Sequence, residues 1–308
     1  MTYGVIDVGS NTIRLCIYKV EHGEITSLFN NKTTAGLIGY VNDGELSRKG
    51  IKKACDVLNT YKKTASFAQI KELYVFATAS LRNITNSEEA VRTIYEETGL
   101  KVDVLSGYDE AVLDFEGAAH AEKLDNGIMV DIGGGSTEIL HFCEGKIRDA
   151  VSLNFGSLSM YRTYVSKLFP KKSEAKAICR KVEQELKKVK FIENRPFPVM
   201  IGIGGTIRAV KKFNNDIFGL SRDNNIIIDG NLEYLLEELQ DEEKQTLSKV
   251  LRVAPDRIHT LIPGMLILRT IFKKCQCKEI HMSSFGVREG YLYKKVMVQN
   301  ERDTLYSE

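Results

Sequence analysis

The sequence predicts an α/β protein built as two related halves. Three observations carry that expectation. Two turns of the same grammar lie at residues 7–12 and 131–137, each entered from an apolar stretch, and Asp131 follows Asp7 by 124 positions. Strand-like and helix-like patterns alternate after each turn. The length, 308 residues, suits two domains of about 150 residues each.

The elements follow in order. Residues 3–6 read as a strand, and Asp7-Val8-Gly9-Ser10-Asn11-Thr12 is a turn of small and polar residues. Ile13, Leu15 and Ile17 then alternate with Arg14, Cys16 and Tyr18, the period of a strand. Residues 43–68 carry helical signals, with Ser47 as N-cap and apolar Ile51, Ala54, Val57, Leu58 and Tyr61. Residues 73–77 read as a buried strand. Ser87 is placed to cap a helix with Glu88 and Glu89 in its first turn and Gly99 past its end. A short strand at 102–105 and a helix at 109–121 complete the first half.

The second half repeats the opening: apolar 128–130, the turn Asp131-Ile132-Gly133-Gly134-Gly135-Ser136-Thr137, and a strand at 138–142. A charged amphipathic helix is expected at 172–189. A strand at 199–203 enters Gly204-Gly205-Thr206 and a following helix. Further helices are expected at 231–249, 263–272 and 288–298, with a strand at 279–282. The domains are expected at 1–120 and 121–308, the last helix (about 292–308) packing back on the first. No Pro/Gly/Ser-rich linker separates them, so a hinge between packed domains is expected.

Composition excludes several classes. Hydrophobic residues are 43% and charged residues 27%, which is ordinary for a globular chain and rules out disorder or a collagen repeat. No apolar run approaches the roughly 18 residues of a membrane span. The N-terminus lacks the basic start and apolar core of a signal peptide, and the six scattered cysteines read as free thiols, so a cytoplasmic location is expected. A formal charge of +2 gives no global reason to expect nucleic acid or a membrane surface as partner.

The paired turns carry the chemistry. Glycine and serine let backbone N–H groups converge on one space without Cβ obstruction, and such clusters bind phosphate oxygens. Ser10, Asn11, Ser136 and Thr137 add side-chain donors. An adjoining carboxylate suits hydrated Mg²⁺. One such turn alone is equally a plain β-hairpin; two copies with matching Asp are the stronger signal. The turn at Gly202-Ile203-Gly204-Gly205-Thr206 is weak by itself. Neither a P-loop nor Rossmann spacing at the first strand is present, which argues against the common nucleotide folds.

Six ordered motifs carry a family resemblance. They are Gly4-Val-Ile-Asp-Val-Gly-Ser-Asn-Thr12, Ala77-Thr-Ala-Ser-Leu-Arg82, Ser106-Gly-Tyr-Asp-Glu-Ala111, Val130-Asp-Ile-Gly-Gly-Gly-Ser-Thr-Glu138, Gly202-Ile-Gly-Gly-Thr206 and Ser283-Ser-Phe-Gly-Val-Arg-Glu-Gly290. Over nearly the whole chain the set resembles the exopolyphosphatase / guanosine pentaphosphate phosphohydrolase (Ppx/GppA) family. That resemblance implies two actin-like, ribonuclease H-like domains of the ASKHA superfamily, each with a βββαβα core, around a central cleft. It implies hydrolysis of a terminal phosphoanhydride by water.

The resemblance also assigns roles. Glu110 matches the general base; the residues alone do not choose it over Asp109 or Asp114. Arg82 matches a phosphate-clamping arginine, a residue that elsewhere would be read as a surface salt bridge. Asp7, Asp131 and Glu138 match acidic positions around Mg²⁺. Mn²⁺ is admitted in its place and a monovalent cation beside it. Ser10, Asn11, Gly133, Gly134, Gly135 and Ser136 match phosphate-binding turns, and Gly204 and Gly205 join them. Two departures stand out: Val112, where many members carry Arg, and His259, where members usually carry Asp. His259 is expected to be a structural, hydrogen-bonding histidine.

The resemblance leaves the substrate open between inorganic polyphosphate, the first expectation, and guanosine pentaphosphate. A weakly catalytic nucleotide- or polyphosphate-binding regulator is a third reading, and a homodimer is admitted. A kinase on the same scaffold has no acceptor motif here. Residues 171–195 hold nine basic and four acidic side chains, equally a polyanion-steering surface and a solvated helix face. Long family members carry extra C-terminal helices, often with a His-Asp pair. The sequence resembles the short form, for which processive action on long chains is not expected.

Overall fold

The computed structural model describes residues 1–193, 195–239 and 243–305, with side chains described to 296. The chain divides into two compact units: Met1–Glu110 together with the chain from Tyr291 onward, and Ala111–Gly290. The expectation set the boundary near residue 120 and the return near 292.

Unit 1 begins with three antiparallel strands, β1 (Thr2–Val8), β2 (Thr12–Glu21) and β3 (Glu24–Thr34). A small hairpin of β4 (Val41–Asn42) and β5 (Glu45–Leu46) leads into helix α1 (Arg48–Phe67). Strand β6 (Glu72–Ala77), helices α2 (Ala79–Arg82) and α3 (Ser87–Thr98), strand β7 (Val102–Val104) and helix α4 (Gly107–Ala121) follow. The sheet order is β3-β2-β1-β6-β7, with β6 and β7 parallel to β1. This is the βββαβα core expected of an actin-like domain.

Two local expectations are corrected. Residues 43–46 belong to the hairpin, and the helix starts after Ser47, whose hydroxyl accepts the Gly50 amide at 3.4 Å. Ser87 is the first helical residue of α3, and Asn86 is its N-cap. The Asn86 amide does not cap the helix. It exchanges two hydrogen bonds with the Leu46 backbone, at 2.9 and 3.0 Å, tying α3 to the hairpin.

Unit 2 repeats the plan. Strands β8 (Asn126–Ile132), β9 (Thr137–Cys143) and β10 (Lys146–Leu153) are antiparallel. Helices α5 (Ser157–Tyr164) and α6 (Lys172–Leu186) precede β11 (Met200–Ile203), α7 (Gly204–Ile217) and β12 (Ile226–Ile228). Then come α8 (Asn231–Glu238), α9 (Glu243–Val253), α10 (Leu261–Lys274), β13 (Glu279–Met282) and α11 (Val287–Leu305). The order β10-β9-β8-β11-β13 matches unit 1, with β12 added antiparallel at the edge. The helix expected at 231–249 is two helices, α8 and α9, and its residues 240–242 lie outside the described residues.

Each unit has its own core. In unit 1, Ile6, Val8, Ile13 and Leu15 meet Ile51, Leu58 and Tyr61 of α1. In unit 2, Ile128, Val130 and Ile132 meet Ile178, Val182, Ile207 and Val210. Helix α10 is buried almost all round, which explains its continuous apolar run. On the opposite face of the second sheet, Ala111, Phe115 and Ala118 of α4 pack on Met129, Leu140 and Phe142. No helix of the described residues is long and apolar enough to cross a membrane.

Candidate active site

In unit 1 the turn after β1 is closed by the Gly9 amide on the Thr12 carbonyl, at 3.0 Å. Its other carbonyls are turned into the protein: Ser10 O accepts the Ile38 amide at 3.1 Å, and Asn11 O accepts those of Ala35 and Gly36 at 3.0 and 2.8 Å. Because a trans peptide sets C=O and the next N–H on opposite sides, the Asn11 amide faces away from Ile38. Ser80, at the start of α2, donates its hydroxyl to the Val8 carbonyl and pins the turn to β6.

Arg82 closes α2, and its Nη1 donates to Glu110 Oε2 at 2.7 Å and to the Leu105 carbonyl at 3.2 Å. The side chains are 16% and 8% exposed, so this is a buried ion pair and not the surface bridge an isolated arginine would suggest. The three candidate acids of α4, Asp109, Glu110 and Asp114, are thereby told apart. Asp109 accepts the Ser106 hydroxyl at 2.6 Å at the helix start. Asp114 is buried and accepts the Val287 amide at 2.7 Å. Glu110 is held by the Arg82 guanidinium.

Unit 2 presents the same turn. The Gly133 amide donates to the Ser136 carbonyl at 3.0 Å, 124 positions beyond the equivalent bond in unit 1. The N-terminus of α5 fixes the loop from behind. Gly133 O accepts the Ser157 amide at 2.9 Å, and Gly134 O accepts those of Leu158 and Ser159 at 3.0 and 2.9 Å. The amides of Gly134 and Gly135 therefore face away from α5, as an anion cradle requires. A Cβ on Gly156 would lie 2.5 Å from Gly133 O, so only glycine lets the helix approach this closely.

Asp131 and Glu138 are cross-strand partners on β8 and β9. Glu138 is 2% exposed and accepts the Ser152 hydroxyl at 2.7 Å. Gly204 opens α7 at φ 84°, and a Cβ there would collide with the Asp131 carboxylate. A Cβ on Gly205 would collide with the Arg257 guanidinium, which lies against the start of α7. In unit 1 the partner of Asp7 across the strands is Arg14. No three His, Cys, Asp or Glu side chains are gathered into a metal-holding group among the described residues. Mg²⁺ needs only one or two protein carboxylates, keeping waters and phosphate oxygens for the rest. The Asp131–Glu138 pair fits an ion of that kind.

The structure thus groups Glu110 with Arg82 in unit 1, and Asp131, Glu138, Gly133–Gly135 and Gly204–Gly205 in unit 2. Val112 is half-buried on α4. His259 is exposed and stacks on Tyr161, ring centroids 4.8 Å apart at 24°; it has no hydrogen bond among the described residues, contrary to the expected role. Sequence reasoning passed over Ser80, Ser152, Gly156 and Arg257. Ser80 stands inside the motif at 77–82, Arg257 lies two residues before His259, and Gly156-Ser157 before a helix is an N-terminal signature. Nothing local in the sequence marks Ser152 as a partner of Glu138.

Each of the two repeated α/β units thus carries a turn lined by small and polar residues that follows a half-buried aspartate, Asp7 in unit 1 and Asp131 in unit 2. The sequence model of the Ppx/GppA phosphatase family matches residues 16–299, and the chain belongs to that family. A crystal structure of the Aquifex aeolicus family member is similar, with TM-score 0.79 and 24% identity over 97% of this chain and 99% of that chain. An exopolyphosphatase from Cytophaga hutchinsonii has TM-score 0.85 and 20% identity, over 96% of this chain and 97% of that one.

Proposed function

We propose that the protein is an exopolyphosphatase that hydrolyses the terminal phosphoanhydride of inorganic polyphosphate. Membership in a phosphatase family supports a phosphoanhydride hydrolase. The observation that carries the mechanism is the buried Arg82–Glu110 pair. A guanidinium favours the ionised form of a neighbouring carboxylate, and only the ionised form accepts a proton. In this reading Glu110 orients a water and takes its proton as the oxygen attacks the terminal phosphorus. In this reading Arg82 holds Glu110, and its guanidinium is also the group that meets phosphate oxygens.

The backbone amides at Ser10, Asn11 and Gly133–Ser136, with Gly204 and Gly205, are the proposed phosphate contacts. Arg257 adds a second guanidinium beside Gly205. Within unit 2, Asp131 and Glu138 are the proposed carboxylates for Mg²⁺, which when bound would neutralise charge on the phosphate oxygens. Phosphoryl transfer asks mainly for positioning and charge neutralisation, and this set supplies both. The leaving group is the shortened polyphosphate, and phosphate is released.

Glu110→Gln tests the reading. Loss of a general base is worth about 10²–10⁴ in rate. Phosphate release from polyphosphate should fall by that factor while polyphosphate binding persists; full activity would remove Glu110 from the mechanism. Guanosine pentaphosphate, offered beside polyphosphate, decides between the two substrates by the ratio of rates.

A further inference from the structure

The basic stretch beginning at Lys171 is sorted by the fold into used and unused charge. Glu185 accepts Lys181 at 2.6 Å and Lys188 at 2.7 Å. Glu174 turns back to the amides of Lys171 and Ser166, at 2.8 and 3.2 Å, and closes the start of α6. Lys172, Lys176 and Arg180 are exposed and have no hydrogen-bond or ion-pair partner among the described residues. Their spacing of four sets them along one helix face, about 12 Å from first to last. At the head of this row a cavity of about 250 Å³ is lined by Lys167, Lys171 and Lys172, with Phe169 and a single described acid, Glu243.

The row connects back to the phosphate turns within unit 2. Helix α5 holds Gly133 and Gly134 at its N-terminus. One turn on, Tyr161 donates its hydroxyl to the Lys167 carbonyl at 3.1 Å and stacks on His259. His259 stands two residues beyond Arg257, whose guanidinium lies against Gly205. Contacts and near neighbours thus lead from Arg257 by His259 and Tyr161 to Lys167, and the cavity lining carries this surface on to Lys172 at the head of the row.

We infer that this surface is a track for the trailing phosphates of a long inorganic polyphosphate chain. The inference rests on the reading of the unit 2 turns as phosphate-binding. Unneutralised cations in file recognise a flexible polyanion through charge without demanding one geometry. Helix α6 itself carries no aromatic residue on which a nucleobase would stack; Phe169 and the Tyr161–His259 pair lie outside it. The track favours long chains over tripolyphosphate.

The test is the charge-reversed protein K172E/K176E/R180E, with K172Q/K176Q/R180Q as a second variant should the reversal impair folding. Phosphate release is measured on long-chain polyphosphate and on tripolyphosphate. The preference in KM for the long chain should fall by about tenfold or more; an unaltered preference overturns the track while leaving the hydrolase reading intact. Binding is read separately by anisotropy of labelled long-chain polyphosphate on the Glu110→Gln protein. If neither substrate is hydrolysed, the hydrolase reading falls and binding alone judges the track. Affinity lost on charge reversal upholds it; equal affinity, or equally tight binding of a DNA oligonucleotide, overturns it.

Discussion

Positions 14 and 138 are equivalent in the two units, each facing the Asp of the adjoining strand, yet one is Arg and the other Glu. The first carboxylate has a cation across from it, and the second has another carboxylate. A divalent ion should therefore be bound chiefly by unit 2. Glu138→Gln is expected to weaken Mg²⁺ binding measured by calorimetry, whereas Arg14→Gln is expected to leave it largely in place. His141, on the same strand as Glu138, reports on pH. Burial pushes its imidazole down, against a 3.4 Å contact with Asp149, and its Nε2 has no partner among the described residues. The folded state therefore prefers the neutral ring. This contribution is present above the unfolded value near 6.5 and is lost as pH falls toward the lower folded value. The thermal midpoint should drop on acidification below neutrality, and His141→Phe should flatten that slope.

Among helices α1 to α11, α2 is the shortest and holds two jobs in four residues. Ser80 fixes the end of β1, and Arg82 fixes Glu110. Ser80→Ala leaves the Val8 carbonyl with only the long bond from the Thr78 amide, 3.5 Å, a loss of about 0.5–1.5 kcal/mol. It should lower the thermal midpoint and raise KM for polyphosphate together, because the turn it frees is the proposed phosphate contact. Gly156→Ala acts on the other turn by overpacking, at about 1–3 kcal/mol, and should have the same paired signature. Elements of this kind were only partly legible. The long amphipathic helices and the two Asp-bearing strand–turn–strand units follow from periodicity and turn chemistry. The edge strands β3, β10 and β12, and helices α2 and α5, escaped. Strand β3 has one buried residue in eleven, so no alternation marks it, and α5 is held by its contact with the Gly133–Gly134 loop and not by its own pattern.

At the scale of the molecule, the repeat was legible because it is carried by chemistry that turns require: Asp, Gly and Ser at a fixed offset. Strands β1 and β8 have the same length and the same 124-residue displacement. The pairing of Glu110 with Arg82 was not legible, since it joins positions 28 apart through the fold. Nor was the sorting of the basic helix, where Glu185 removes two lysines and leaves three cations bare. The closing helix was expected to return to the first half, and unit 1 does include the chain from Tyr291. Tyr291 packs on Phe76 with ring centroids 4.8 Å apart and donates its hydroxyl to Asp103 at 2.6 Å. Lys295 joins Asp103 at 2.7 Å. Burial alone would raise the Asp103 carboxyl, but these two bonds outweigh it and hold it below the usual carboxylate range. The grip is therefore kept above that range and lost as pH falls through the lower value.

That arrangement sets an order of events during synthesis. Unit 2 is one unbroken stretch of chain and is complete when Gly290 has left the ribosome. Unit 1 begins first and finishes last, since Phe76 waits more than two hundred residues for Tyr291 and Asp103 waits 192 for Lys295. A nascent chain arrested before Tyr291 emerges should hold a protease-resistant second unit and a protease-sensitive first one.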